Sequence, residues 1–145
     1  MEKTDLRKIL AISGEHGLFE YVAQAKAGLI AESLETKVRR TFGAHARVSS
    51  LADISIYTET AEMALKEVFE KIAAHLDGAE AMSSKSSSKD IEKFFGEVVP
   101  DYDAGRFYVS HMKKVLDWYN CLREYATLEF VNEEEERAEE ERKAE

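Results

Sequence analysis

Over about residues 5–58 the apolar positions come in short runs, and after them in long stripes of helical period. Leu18–Ala23 and Gly28–Leu34 are short, rich in β-forming side chains, and set off by Gly14, Gly17 and Gly28. Val38–Phe42 predicts a third strand, and Ile54–Tyr57 a fourth with strict alternation. Short strands joined by short polar turns predict a meander that curls into a small barrel, because a flat sheet would leave two open edges. Between the last two strands, the serines and acid of Ser49–Asp53 suit a single capped turn.

From Thr60 the period changes. Leu65, Val68, Phe69, Ile72 and Leu76 mark one buried helical face, with Glu62–Lys66 and Glu67–Lys71 four apart in the favourable order. Gly78 ends that helix. The serine-rich stretch 79–88 predicts a flexible linker and a module boundary. A second helix starts near Lys89, capped by Ser87 or Ser88, carries Ile91, Phe94, Phe95 and Val98 inward, and stops at Pro100. Ser110 is the expected cap of a third helix. Its stripe of Met112, Val115, Leu116, Tyr119 and Leu122 is widened by Trp118, Cys121 and Tyr125, which calls for two packing partners, the second being the barrel or another subunit. After Phe130 little remains to bury, and 131–145 is expected to be a disordered acidic tail.

Charge and cysteine content narrow the classes. The chain of 145 residues carries a formal charge of -9, and eight Glu against three basic residues in 131–145 account for -5, leaving -4 for the folded part. An anionic partner is therefore not excluded by overall acidity. One cysteine permits neither an internal disulfide nor a cysteine-based metal knuckle. No run approaches the roughly 20 apolar residues of a membrane span, and no signal-peptide core is present. A cytoplasmic protein without a membrane partner is the expectation.

Three strings carry a resemblance: Ile9–Leu18 (ILAISGEHGL), Arg47–Thr58 (RVSSLADISIYT) and Val98–Asp103 (VVPDYD), together with Val115–Asn120 (VLDWYN) and the Glu-rich tail. They resemble an uncharacterised Bacteroidota family known as a domain of unknown function (number fifty-six-oh-six), over nearly the whole folded chain. The resemblance implies an SH3-like barrel followed by a winged-helix-like helical module. It implies no activity.

No catalytic motif accompanies this architecture, and the expectation is a protein that is not an enzyme. His16, His45, His75 and His111 are scattered, with no nucleophile elbow beside them. Cys121 sits inside an amphipathic helix, where a free thiol packs as a small hydrophobe. Ser13–Gly17 has two glycines and an acid, which suits a turn better than a phosphate loop. Asp101–Gly105 fails as a calcium loop, because Arg106 and Met112 stand where a glycine and an acid are required. A turn held by Asp101 and Asp103 side chains is expected there instead.

Two surface features remain. Lys37, Arg39, Arg40, His45 and Arg47 crowd one predicted strand and its flanks, with Phe42 and Tyr57 near enough in sequence to stack on bases. The plainer account of those charges is an edge guarded against aggregation. Trp118, Cys121 and Tyr125 are the candidate protein interface. The expected fold is α+β: a barrel with its helix over 1–78, a linker at 79–88, a helical module over 89–130 and the tail. The expected function is an interaction protein binding RNA, another polyanion or a protein through the barrel; a homodimer or adaptor without nucleic acid is the alternative. No cofactor or metal is expected.

Overall fold

In the computed structural model, residues 3–15, 17–130 and 141–142 are described. The first half supplies β1 (Ile9–Ile12), β2 (Phe19–Ala25), β3 (Gly28–Ser33), β4 (Arg39–Gly43) and β5 (Val48–Ser50). These form one antiparallel sheet in the order β4-β3-β2-β1-β5. The turn after β1 needs left-handed backbone, which Gly14 and Gly17 supply at φ 84° and 78°. Gly28 opens β3 where a side chain would collide with the carbonyl oxygen of Phe42.

The barrel expectation needs correction. No hydrogen-bonded ladder joins β4 to β5 among the described residues, so the sheet stays open. It nevertheless curls strongly. Only Ala44–Arg47 separate the two edge strands, a link that reaches at most about 17 Å, whereas a flat five-stranded sheet would hold its edges about 19 Å apart. The turn bond from Ala46 N–H to Gly43 O shortens the link further. On the concave side, Leu10, Ile12, Phe19, Ala31 and Phe42 form a small second core, against which Val48 of the opposite edge packs.

The predicted fourth strand also goes elsewhere. Ser50 caps a single 3-10 turn at Leu51–Asp53, accepting from Ala52 N–H at 3.3 Å, and this turns the chain out of the sheet. β6 (Ser55–Tyr57) then pairs with β7 (Glu62–Ala64) as a separate hairpin. Thr58 closes it, donating to Ala61 O from both its backbone N–H (2.8 Å) and its hydroxyl (2.9 Å). The helix expected from Thr60 therefore begins only at α1 (Leu65–Leu76). The Glu62–Lys66 helical pair is lost to the hairpin, while Glu67 and Lys71 both lie in α1.

α2 (Ser88–Val98) is capped by the Ser87 hydroxyl, which accepts from Asp90 N–H at 3.2 Å. α3 (Val109–Tyr125) starts one residue before the expected cap, Ser110; the His111 ring nitrogen Nδ1 accepts from Tyr108 N–H at 3.2 Å. The turn before it is held by one of the two expected acids: Asp103 accepts from Gly105 N–H and pairs with Arg106 at 2.7 Å, whereas Asp101 contributes its backbone oxygen, accepting from Glu59 N–H at 2.8 Å.

One core serves both halves. Leu6, Ile9, Leu18 and Leu34 pack with the inward residues of all three helices, and Leu51, Val68, Phe69, Ile72, Ile91, Phe95, Leu116, Tyr119 and Leu122 are fully buried. The serine-rich segment is tied to α3 at its start. Tyr119 donates its hydroxyl to Ala79 O at 2.9 Å, Arg123 donates to Gly78 O at 2.8 Å, and Asn120 both accepts from Ala81 N–H (2.8 Å) and donates to Ala81 O (3.2 Å). The segments at Thr4 and Glu129 meet as well, since Thr4 N–H donates to Glu129 O at 2.7 Å, and Phe130 stacks on Phe69 at 5.9 Å. Of the expected acidic tail, all but Glu141 and Arg142 lies outside the described residues.

Candidate interaction groove

α3 buries one side completely and leaves the adjacent side over an open space. Leu116, Tyr119 and Leu122 are inside, whereas Trp118, Cys121 and Tyr125 are half-buried. The last three line a groove of about 700 Å³ between α3 and the sheet. The opposite wall is Ala11 and Ile12 of β1, Ser13, Gly14, Glu15 and Gly17 of the following turn, and Arg47 and Ser49 at β5. Alternation along the edge explains the last pair: Val48 turns to the concave core, so its neighbours face the other way.

Charges of both signs line the groove: Glu15, Glu35, Asp117 and Glu124 with Arg47 and Lys114. The four carboxylates come from the β1 turn, the β3–β4 turn and α3. At the helix's C-terminal end, burial pushes the Cys121 thiol up, an effect opposed by the Leu18 backbone and reinforced by Glu35 and Glu124, with Lys37 near enough to pull the other way. The thiol is thus protonated at neutral pH and is a poor nucleophile. Desolvation, then Glu124 and Glu35, likewise raise the Tyr125 hydroxyl.

The basic strand is dispersed by its own partners. Arg39 donates to Glu32, its direct cross-strand neighbour, at 3.2 Å. Arg40 pairs with Glu15 at 2.7 Å and lies over the Phe42 ring at 4.9 Å. The Arg40 hydrogen bond holds the Glu15 carboxyl below its usual range. Phe42 is itself 7% exposed and presents no free ring for base stacking, while Tyr57 is exposed at 39% with Arg106 over its ring at 4.4 Å. Lys37, His45 and Arg47 are exposed, and of the five basic candidates only Arg47 lines the groove. The structure thus brings Arg47 together with Trp118, Cys121 and Tyr125, and directs Arg39 and Arg40 to carboxylates.

The four groove acids and Lys114 were not placed at a site by the sequence reading. Lys114, Asp117, Cys121 and Glu124 repeat with helical spacing beside Trp118, and that period could have placed Asp117 and Glu124 on the same flank. Nothing local could have found Glu15 or Glu35, because their approach depends on the sheet's curl. Two of the histidines have structural partners: His75 meets Glu97 at 3.5 Å and His111 stacks on Phe107 at 6.4 Å; His45 is exposed, and His16 lies outside the described residues. Among the described residues no group of three His, Cys, Asp or Glu gathers as metal ligands, and no helix is long and apolar enough to cross a membrane.

The class so defined is an α+β protein in which a curled sheet and three helices share one core and leave a groove between them. Two families match the chain in succession: Domain of unknown function (DUF5606) over residues 6–51 and Domain of unknown function (DUF6852) over residues 54–122. The solution NMR structure of a structural-genomics target from Bacteroides vulgatus is 36% identical, with a TM-score of 0.72 over 88% of this chain and 97% of that one. The chain belongs to this Bacteroidota family of unknown function. Among curated proteins none matches it. The join between the two matched regions falls in the turn Leu51–Asp53, where the chain leaves the sheet.

Proposed function

We propose that the chain is a non-enzymatic, cytoplasmic interaction module that takes a protein partner in the groove between α3 and the sheet. The observation that carries this is the placement of Trp118 and Tyr125, half-buried, over a groove of about 700 Å³ rather than in the core. Aromatic anchors in a concave, partly desolvated site are what protein interfaces concentrate. Within this proposal the curled sheet acts as an SH3-like barrel lacking its last ladder, and the β6–β7 hairpin with α1–α3 acts as a winged-helix-like module used for packing.

The proposal is tested by cross-linking in cells with the native chain and with Trp118→Ala. Protein adducts formed by the native chain and lost in the variant are expected. The same adducts in both would remove the partner from the groove.

A second reading rests on Lys37, His45 and Arg47, which are exposed and would hold RNA or another polyanion. Its affinity would fall steeply with salt, because phosphate contacts release counterions. The ion pairs of Arg39 and Arg40 count against it. The homodimer alternative uses Trp118, Cys121 and Tyr125 themselves; a strictly monomeric protein in sedimentation at high concentration would remove it.

A further inference from the structure

Past α3 the chain is tied to the rest of the molecule through one polar residue. α3 makes its last helical bond from Ala126 N–H to Leu122 O at 2.9 Å, and Ala126 leaves the helix at φ -137° and ψ -138°. Among the described residues, the hydrogen bonds that hold 127–130 to another part of the chain all run to Thr4. Thr127 N–H donates to the Thr4 hydroxyl at 3.1 Å, and that hydroxyl donates to Thr127 O at 2.9 Å. Thr4 N–H donates to Glu129 O at 2.7 Å. These bonds satisfy a polar side chain that is only 7% exposed.

The apolar attachment is at the far end. Phe130 is 8% exposed and stacks on the fully buried Phe69 with ring centroids 5.9 Å apart, while Leu128 is partly covered by the same core. Elsewhere the segment borders open space: a gap of about 720 Å³ is lined by Ala126–Glu129 together with Gly78, Arg123 and Glu124.

We propose that residues 127–130 form a strap that opens as one unit while the core stays folded, uncovering the Phe69 site that Phe130 fills when the strap is closed. Segments open locally when they have few buried contacts and hydrogen bonds to give up. Here the bonds share Thr4 and therefore break together. The core keeps its own attachments, since Leu51, Val68, Ile72, Ile91, Leu116 and Leu122 are fully buried among the sheet and the three helices. The family matches agree with that division, because they span 6–51 and 54–122 and include neither Thr4 nor the strap. The strap is thus an intramolecular lid, and any partner for Phe69 has to displace Phe130.

Amide hydrogen exchange of the native full chain in rising, sub-denaturing urea tests this. The Thr4 and Thr127 amides should share one opening constant, at least about a hundredfold larger than that of Ile72 and Leu116. Its urea dependence should be slight, because the slope follows the surface exposed. Phe130→Ala removes the ring and leaves the Thr4 bonds; it should raise exchange at Thr4 and Thr127 alike by about tenfold or more, with Ile72 and Leu116 unchanged. Thr4 and Thr127 exchanging together with Ile72 and Leu116, at the same urea dependence, would make the strap part of the core and overturn the proposal. Unequal responses of Thr4 and Thr127 to Phe130→Ala would overturn the single unit. The native-chain measurement separates strap from core whether or not the variant folds.

Discussion

Two flanks of α3, one residue apart in places, have opposite fates. Leu116, Tyr119 and Leu122 are fully buried among α1, α2 and the sheet, and the Tyr119 hydroxyl is spent on Ala79 O. Trp118, Cys121 and Tyr125 sit on the next strip, half-covered, with acids around them and open space in front. Apolar character does not separate the strips, since both carry aromatic rings beside smaller apolar side chains. What separates them is the neighbour each one faces. The inner strip meets other helices, while the outer one meets a sheet that curls away toward its own second core at Leu10, Ile12, Phe19, Ala31 and Phe42. The sheet's concave side is filled by its own residues, and a groove remains on the side toward the helix.

The comparison breaks most sharply with Leu116→Ala, which should cost about 2–5 kcal/mol because the cavity cannot close in a packed interior. Urea denaturation measures it, and a loss below about 1 kcal/mol would mean that the inner strip is not core. Next is Asn120→Ala, which removes two hydrogen bonds to Ala81 and should cost about 2 kcal/mol. Amide exchange at Ala81 should rise with it; unchanged protection would show that α3 does not hold this segment.

Tyr119→Phe should cost about 1 kcal/mol, from the lost bond to Ala79. Its pH dependence sharpens the point. Burial raises the Tyr119 hydroxyl above its ordinary value in the folded state, so its contribution is complete below about pH 10 and is lost as pH rises through the folded value. Alkaline melting should therefore be shallower in the variant, and identical profiles would contradict the assignment.

Trp118→Ala, on the outer strip, should cost less than Leu116→Ala, about 1 kcal/mol, while abolishing partner binding. A loss as large as that of Leu116→Ala would place Trp118 in the core. The smallest effect belongs to Arg40→Gln, whose partner Glu15 is solvated. Its thermal midpoint at neutral pH should match the native one, and a clear drop would make that exposed pair more than a surface contact.

The helices were legible where local chemistry decides them. Ser87 and Pro100 bound α2 through a cap and a missing donor, and the buried face from Leu65 to Ile72 follows from periodicity. The strands at Phe19–Ala25, Gly28–Ser33 and Arg39–Gly43 were legible from β-forming residues between glycines. β7 was not, because Glu62–Ala64 reads as the first turn of a helix and becomes a strand only by pairing with Ser55–Tyr57. Nor was the fate of Arg39 and Arg40. A run of basic residues looks like a binding strip until the register sets Glu32 opposite Arg39 and the curl brings Glu15 to Arg40. Trp118, Cys121 and Tyr125 were found because a stripe too wide for one partner needs another. The carboxylates across from them depend on long-range geometry.

The most direct test is to map amide chemical shifts of the full, isotope-labelled chain on adding a peptide selected on it from a random phage-displayed library. The account predicts perturbations at Ala11–Glu15, at Arg47 and Ser49, and along Lys114–Tyr125, with the Arg39–Thr41 amides unmoved. Perturbations confined to Lys37–Phe42, with α3 silent, would contradict it and return the partner to the basic strand.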